Sequence, residues 1–118
     1  MPVLLVYGVS SQTRSADLKG FYNALVKATC SLKELDLTNN QVSCFFPADL
    51  IDQSKEIIIF VDGLFENPKR TELVRKDLAE KLVECAKNIF PQIDLVECFI
   101  RPFDPRCGFA KSERKKDG

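Results

Sequence analysis

The sequence contains no histidine, no tryptophan and a single methionine among its 118 residues. Without histidine, the chain has no imidazole to bind a metal ion or to act as a general base near neutral pH. Lysine plus arginine and aspartate plus glutamate balance at 17 each, so no net field attracts nucleic acid or an anionic membrane. Zinc-finger spacing, a nucleotide-binding loop and a G-x-G-x-x-G motif are all absent. We therefore expect no metal, no cofactor and no nucleic-acid partner.

Long hydrophobic runs are also absent. No segment approaches the roughly 18 apolar residues that favour a membrane-spanning helix, and the short apolar opening lacks the basic flank of a secretory signal. The five cysteines form no C-x-x-C pair, and Cys30, Cys44, Cys85 and Cys98 lie in apolar segments, where a free thiol packs like a small hydrophobic group. We expect a protein without membrane association, in the reducing cytoplasm.

The first half of the chain has the pattern of a strand, a helix and a second strand. Residues 3–9 and 42–46 are apolar runs typical of strands, and polar residues separate the first run from the helix. The apolar stripe of the predicted helix recurs at helical spacing and consists of Leu18, Phe21, Tyr22, Leu25 and Val26.

The second half repeats this pattern. Strands are predicted at 57–61 and 93–100, and the second of these strands is expected to end at Pro102. A helix start is expected at Asn67-Pro68, with asparagine as the cap and proline in the first turn. Its stripe consists of Leu73, Val74, Leu78, Leu82, Ala86 and Ile89.

Sliding the sequence against itself by 55 residues aligns identical residues, including Cys30 with Cys85 and Pro47 with Pro102. We interpret residues 2–50 and 57–105 as a pseudo-repeat of two β-α-β units in one domain spanning 1–110, followed by a charged flexible tail at 111–118. The predicted fold is therefore α/β (α+β), with a four-stranded sheet and two helices on one of its faces.

Pro2 stands directly before the first strand. An α-amino group has a pKa near ~7.7–8.0, and burial or nearby cations lower it because both penalise the charged form. If Met1 is removed, Pro2 therefore becomes an amine that can serve as a general base at neutral pH. The alternative is a purely structural proline, since proline is well tolerated at the first residue of a strand.

Two β-α-β units that begin at Pro2 resemble the tautomerase superfamily in its long form, which includes macrophage migration inhibitory factor; the short form, as in 4-oxalocrotonate tautomerase, has one unit. The resemblance covers about residues 2–109: 42–50 and 96–104 look like the second and fourth strands of long members, and Gly108-Phe109 lies where they often have Gly-Trp. It implies a homotrimer with Pro2 in a pocket between subunits, and keto-enol proton transfer on small 2-oxo acids.

Such a substrate carries a carboxylate, which an arginine fork binds in bidentate fashion. Arg101 is the first candidate, because its counterpart in the first repeat is Phe46 and repeat symmetry does not account for it. Arg14 and Arg106 are further candidates, and Phe99 is a candidate for the apolar wall of the pocket. By contrast, Lys69-Arg70 and Arg75-Lys76 are expected on an exposed helix face.

The alternative to an enzyme is a non-catalytic module that binds a small molecule or assembles into oligomers. The order β-α-β-β-α-β is shared with ferredoxin-like domains, whose sheet is antiparallel. Trimer symmetry with Pro2 in a cleft between subunits would favour the enzyme, and an antiparallel ferredoxin-like sheet with an open face would favour the module.

Overall fold

The computed structural model describes residues 1–53 and 55–114. From residue 115 on, the predicted charged tail lies outside the described residues. Six main elements follow one another along the chain, in the order β1 (Val3–Tyr7), α1 (Ser15–Ser31), β2 (Ser43–Phe45), β3 (Glu56–Phe65), α2 (Glu72–Ile89) and β4 (Leu95–Phe103). Short 3-10 turns precede β2 and follow β4. The two predicted β-α-β units are therefore confirmed.

The four strands form one mixed sheet in the order β2-β1-β3-β4. Each unit contributes a parallel pair, β1 with β2 and β3 with β4, and the units join through antiparallel pairing of β1 with β3. These parallel pairs exclude the antiparallel ferredoxin-like sheet. Together with the antiparallel pairing of β1 and β3, they bring the start of β1 and the ends of β3 and β4 to one end of the sheet, which we call the Pro2 end.

Alternate strand residues form the core under the two helices. Leu4 and Ile59 point into it from the central strands and are fully buried, and Phe21 and Leu82 meet them from α1 and α2. Both helices thus cover the same face of the sheet, as predicted. The predicted apolar stripes of the two helices were wrong at their margins. Tyr22 and Leu73 are exposed, at 39% and 80%, because each lies just outside the face that the sheet covers.

Helix α2 begins later than the sequence suggested. Asn67 does act as a cap, but of a turn: its side-chain oxygen accepts the Lys69 N–H at 2.7 Å, and its carbonyl accepts the Arg70 N–H. The helix cap is Thr71, whose hydroxyl oxygen accepts the Val74 N–H at 3.3 Å. The prediction failed because Asn-Pro starts turns as well as helices.

Strand β3 is longer than predicted and contains a bulge. Its register with β4 shifts between Val61 and Leu64, and Gly63 takes the left-handed conformation with φ of 70°. Strand β4 runs through Pro102 rather than stopping there, which an edge strand allows because a missing N–H there breaks no pairing.

The second face of the sheet carries no helix among residues 1–53 and 55–114. Paired residues on it include Leu5 opposite Phe60 and Phe60 opposite Phe99, so the face is largely apolar. We call it the open face. Within the same described ranges, no helix combines the length and the apolar character needed to cross a membrane.

Candidate active site

Pro2 is buried at the end of the sheet where the central strand β1 begins, one residue before β1. Its carbonyl accepts the Ser43 N–H at 3.1 Å, which ties it to the start of β2. On the other side, the Met1 carbonyl oxygen would lie 3.1 Å from a Cβ placed on Gly63. The bulge of β3 therefore gives the amino terminus the space that it occupies between β2 and β3.

The surroundings of the amino terminus disfavour a positive charge. Partial burial lowers the pKa of the Met1 ammonium below its ordinary value, and the positive charges of Arg70 and Lys111 lower it further. Desolvation and neighbouring cations are the two effects that would make Pro2 a base at neutral pH. Here they act on the amine one residue upstream.

Arg70 lies elsewhere than the sequence predicted. It occupies the turn before α2, partly buried, where its Nη1 donates to the Phe65 carbonyl and its Nη2 to the Leu35 carbonyl, both at 2.7 Å. Its Nε is buried without a hydrogen-bond partner among the described residues. The prediction of an exposed helix face was wrong for this residue. Both acceptors belong to other elements, so local sequence carries no signal for the contact.

Arg101 lies at the Pro2 end of the sheet, on the open face, paired with a carboxylate of the same chain. Its Nε and Nη2 donate to the two oxygens of Asp62 at 2.5 and 2.6 Å. The guanidinium carbon also lies 4.2 Å from the centroid of the Phe60 ring. The hydrogen bond with Asp62 raises the pKa of Arg101. The bulge in β3 supplies this partner, since Asp62 lies within it.

Phe99 lies on the same face and is 46% exposed. Its ring stacks on Phe60 at a centroid distance of 5.3 Å, and Tyr7 meets the other ring of this pair edge-on at 5.9 Å. The aromatic cluster and the arginine pair thus form one continuous surface leading from the middle of the open face to its Pro2 end.

The two remaining predicted arginines are more exposed. Arg14 occupies the position just before α1, which follows β1, so within one chain it lies at the opposite end of the sheet from Pro2. Its Nε pairs with Asp17 at 3.2 Å. Arg106 lies in the turn after β4, at the Pro2 end, and pairs with Asp104 at 2.8 Å. That hydrogen bond lowers the pKa of the Asp104 carboxyl.

A cavity of about 260 Å³ opens at the end of the sheet opposite Pro2. Its lining consists of Tyr7, Gly8, Pro47, Ala48, Asp49, Gln53, Glu56 and Ile58. None of the predicted site residues contributes to it, and half of its lining residues belong to the loop between β2 and β3.

All five cysteines are free thiols. Burial raises the pKa of Cys44 and of Cys98 to about 12, so both are neutral at physiological pH. These two pack against the core from the outer strands, as the sequence suggested. Cys107 is exposed in the turn after β4.

The mixed sheet, the repeated β-α-β unit and the helices on one face give this chain the fold of the tautomerase superfamily. No protein-family model and no curated protein sequence matches the chain, so the likeness is one of structure.

Three solved structures illustrate it. Macrophage migration inhibitory factor of Toxoplasma gondii aligns with a TM-score of 0.67 and 12% identity, covering 95% of this chain and 97% of that one. A symmetric trimer of fused 4-OT aligns at 0.65 and 13%, covering 86% and 85%. Pt0534 inactivated by 2-oxo-3-pentynoate aligns at 0.63 and 13%, covering 85% and 86%.

Proposed function

We propose that this protein is a cofactor-independent tautomerase that acts on a small 2-oxo acid, with Pro2 as its general base once Met1 is removed. The observation that carries the proposal is the position of Pro2, a buried residue just before the first central strand of a tautomerase-superfamily fold. Support comes from the adjoining ammonium of Met1, whose pKa is lowered by burial and by Arg70. The same surroundings would favour the neutral form of the Pro2 amine over its charged form.

In the proposed reaction the Pro2 nitrogen accepts the proton from the enol oxygen of the substrate. The resulting ammonium then returns a proton to the carbon next to the carbonyl, which yields the keto acid and the free amine. No electrons are gained or lost and no other reactant is needed. A positioned base of this kind contributes typically ~10²–10⁴-fold to the rate.

We assign the substrate carboxylate to Arg101. A guanidinium has five N–H donors, and Asp62 engages Nε and Nη2. Among the described residues Nη1 has no hydrogen-bond partner, so it could bind a second carboxylate. Phe99 would form the apolar wall beside it, and Arg106 would contribute positive charge at the same end of the sheet.

We further propose a homotrimer in the cytoplasm. The fused 4-OT to which this chain is similar forms a symmetric trimer, and the open face here leaves Phe45 57% exposed. Arg14 can reach Pro2 only from another copy of the chain, since it lies at the opposite end of the sheet. The free thiols are consistent with a reducing compartment.

A second candidate function is a non-catalytic binding or assembly module with the same fold. It is favoured by the Asp62 carboxylate, which already occupies the fork of Arg101. It is also favoured by the composition of β2. The open-face residues of this strand, Ser43 and Phe45, are uncharged, so the strand offers no cation for a substrate carboxylate. In this case Pro2 would be only the first residue before a strand.

The proposal can be tested with 2-oxo-3-pentynoate, the compound that inactivates Pt0534. A neutral amine adds to the triple bond of this acid without a leaving group, so the protein gains the full mass of the reagent. We expect chains that lack Met1 to carry one adduct at Pro2, as mapped by peptide mass spectrometry, which separates it from any adduct on the exposed thiol of Cys107. Chains in the same sample that retain Met1 are the matched control, because their Pro2 nitrogen is an amide. The absence of an adduct at Pro2 in chains that lack Met1 would contradict the proposal.

A further inference from the structure

We infer that Arg70 is a positioning residue whose fixed guanidinium keeps the amino-terminal nitrogen of Pro2 in its neutral, proton-accepting form. The inference rests on the proposed function, because it concerns the base of that reaction. Arg70 belongs neither to the predicted site nor to the predicted core, and its placement is visible only in the folded chain.

The guanidinium of Arg70 is held rigidly. Two hydrogen bonds of 2.7 Å attach it to the Phe65 carbonyl at the end of β3 and to the Leu35 carbonyl after α1. Its own backbone is fixed as well, since the Arg75 Nη1 donates to the Arg70 carbonyl at 2.6 Å. A side chain clamped in this way keeps its charge at one place, whereas an exposed arginine samples many rotamers.

The clamp lies at the Pro2 end of the sheet. Phe65 is two residues beyond Gly63, against which the Met1 carbonyl packs. The amino terminus and the guanidinium therefore share the bulged end of β3 as a common support. This placement accounts for the influence of Arg70 on the amine, where it comes second only to burial.

The charge of Arg70 is not neutralised by an ion pair within the described residues. Both of its acceptors are backbone carbonyls, which bear no net charge. Burial lowers the pKa of Arg70 and the charge of Asp36 opposes this, but an arginine remains protonated at every physiological pH. A partly desolvated cation acts more strongly on its neighbours than one in water.

Three other cations at this end of the sheet are paired. Lys111, the second cation acting on the amine, forms an ion pair with Glu113 at 3.1 Å. Arg101 is paired with Asp62, and Arg106 with Asp104. Arg70 is therefore the cation whose removal should change the potential at Pro2 most.

The test is an NMR titration of protein labelled with ¹⁵N-proline and freed of Met1, which reads the pKa of the Pro2 amine without requiring activity. In Arg70→Gln we expect this pKa to rise by about one unit, the size of effect that a neighbouring charge commonly has. Arg70→Lys, which keeps the charge but cannot make both hydrogen bonds of the fork, should give a smaller rise. Lys69→Gln removes the same charge from an exposed neighbour and should leave the pKa of Pro2 unchanged.

Asp36→Asn provides a variant in which both hydrogen bonds of the Arg70 guanidinium stay intact. Asp36 has a φ of 53°, a left-handed conformation that asparagine tolerates. Removing its negative charge should lower the pKa of Pro2, opposite in sign to the effect of Arg70→Gln. A pKa that is unchanged in Arg70→Gln, or that rises equally in Arg70→Lys, would overturn the inference. If the pKa shifts occur as expected but no 2-oxo acid is turned over, the inference holds and the proposed function fails.

Discussion

Arg101 and Asp62 face each other on the open face of the sheet as a bidentate pair, with the guanidinium over the ring of Phe60. The pair joins β4 to the bulge of β3, and it lies at the end of the sheet where the chain begins. The arginine that the sequence favours for substrate binding thus already holds a carboxylate. A substrate must therefore use the remaining donors or compete with Asp62.

This competition gives a prediction for Asp62→Asn. Loss of the internal carboxylate should lower KM for a 2-oxo acid severalfold, because the fork of Arg101 becomes free for the substrate. Arg101→Gln should have the opposite effect and lower kcat/KM about tenfold or more, as expected for lost charge-assisted hydrogen bonds. Steady-state kinetics measure both. Lys76→Gln, an exposed cation on α2, is the control. If Arg101→Gln and Lys76→Gln behave alike, Arg101 does not bind substrate.

The cysteines should differ sharply in reactivity. Disulfide reagents react with thiolates, and the thiols of Cys44 and Cys98, with pKa values of about 12, remain protonated at pH 8. Cys107 is exposed and should react first with Ellman's reagent in the native protein. Cys107→Ser should remove this fast phase, and urea should make the remaining thiols reactive. Rapid native labelling of Cys44 or Cys98 would show that β2 or β4 opens readily.

Two glycines provide a matched pair for stability. An alanine Cβ at Gly8 would lie 2.0 Å from the Glu56 carbonyl oxygen, and Gly8 has a φ of 93°. Gly8→Ala should therefore destabilise the fold by several kcal/mol, since both the backbone conformation and the close contact must change. At Gly20, inside α1, a Cβ meets nothing within 4 Å. Gly20→Ala should stabilise the protein by about 0.5–1 kcal/mol. Urea unfolding measures both changes in the free energy of unfolding, and equal values for the two variants would refute the expected contrast.

The open face leads to a prediction about assembly. Sedimentation velocity should give three times the mass of one chain. Phe45→Glu should shift the protein toward monomers, because it places a charge on an apolar face that the trimer would bury. Leu50→Glu is the control, since Leu50 is 95% exposed in the loop after β2. A wild-type monomer, or equal dissociation in both variants, would argue against trimerisation through this face.

The order of elements could be predicted from the sequence because the spacing of apolar residues and the alignment of the two halves indicated the same strands and helices. The strands and helices of both units confirm it, down to Phe21 and Leu82 in the core. The start of α2 could not be predicted, because Asn67 caps a turn with the same chemistry that caps a helix. Local signals gave the type of each element better than its ends.

The candidate site was harder to predict than the fold. Pro2 stands out through its position in the sequence. The roles of Asp62 and Arg70, however, depend on a bulge in β3 and on carbonyls far away along the chain, including Leu35. Neither contact has a local pattern, so only the folded chain shows that Arg70 approaches the amino terminus.

The central claim is that Pro2 is the base, and ketonisation of phenylenolpyruvate tests it most directly. Protein whose mass confirms loss of Met1 should be compared with Pro2→Ala over a range of pH. We predict activity that rises with pH and has its midpoint below ~7.7–8.0, the range of an ordinary amino terminus, because surroundings that lower the amine's pKa leave it unprotonated at lower pH. Pro2→Ala should lose at least about 100-fold of this rate. Wild-type protein no faster than buffer, or a Pro2→Ala variant as active as wild type, would contradict the account.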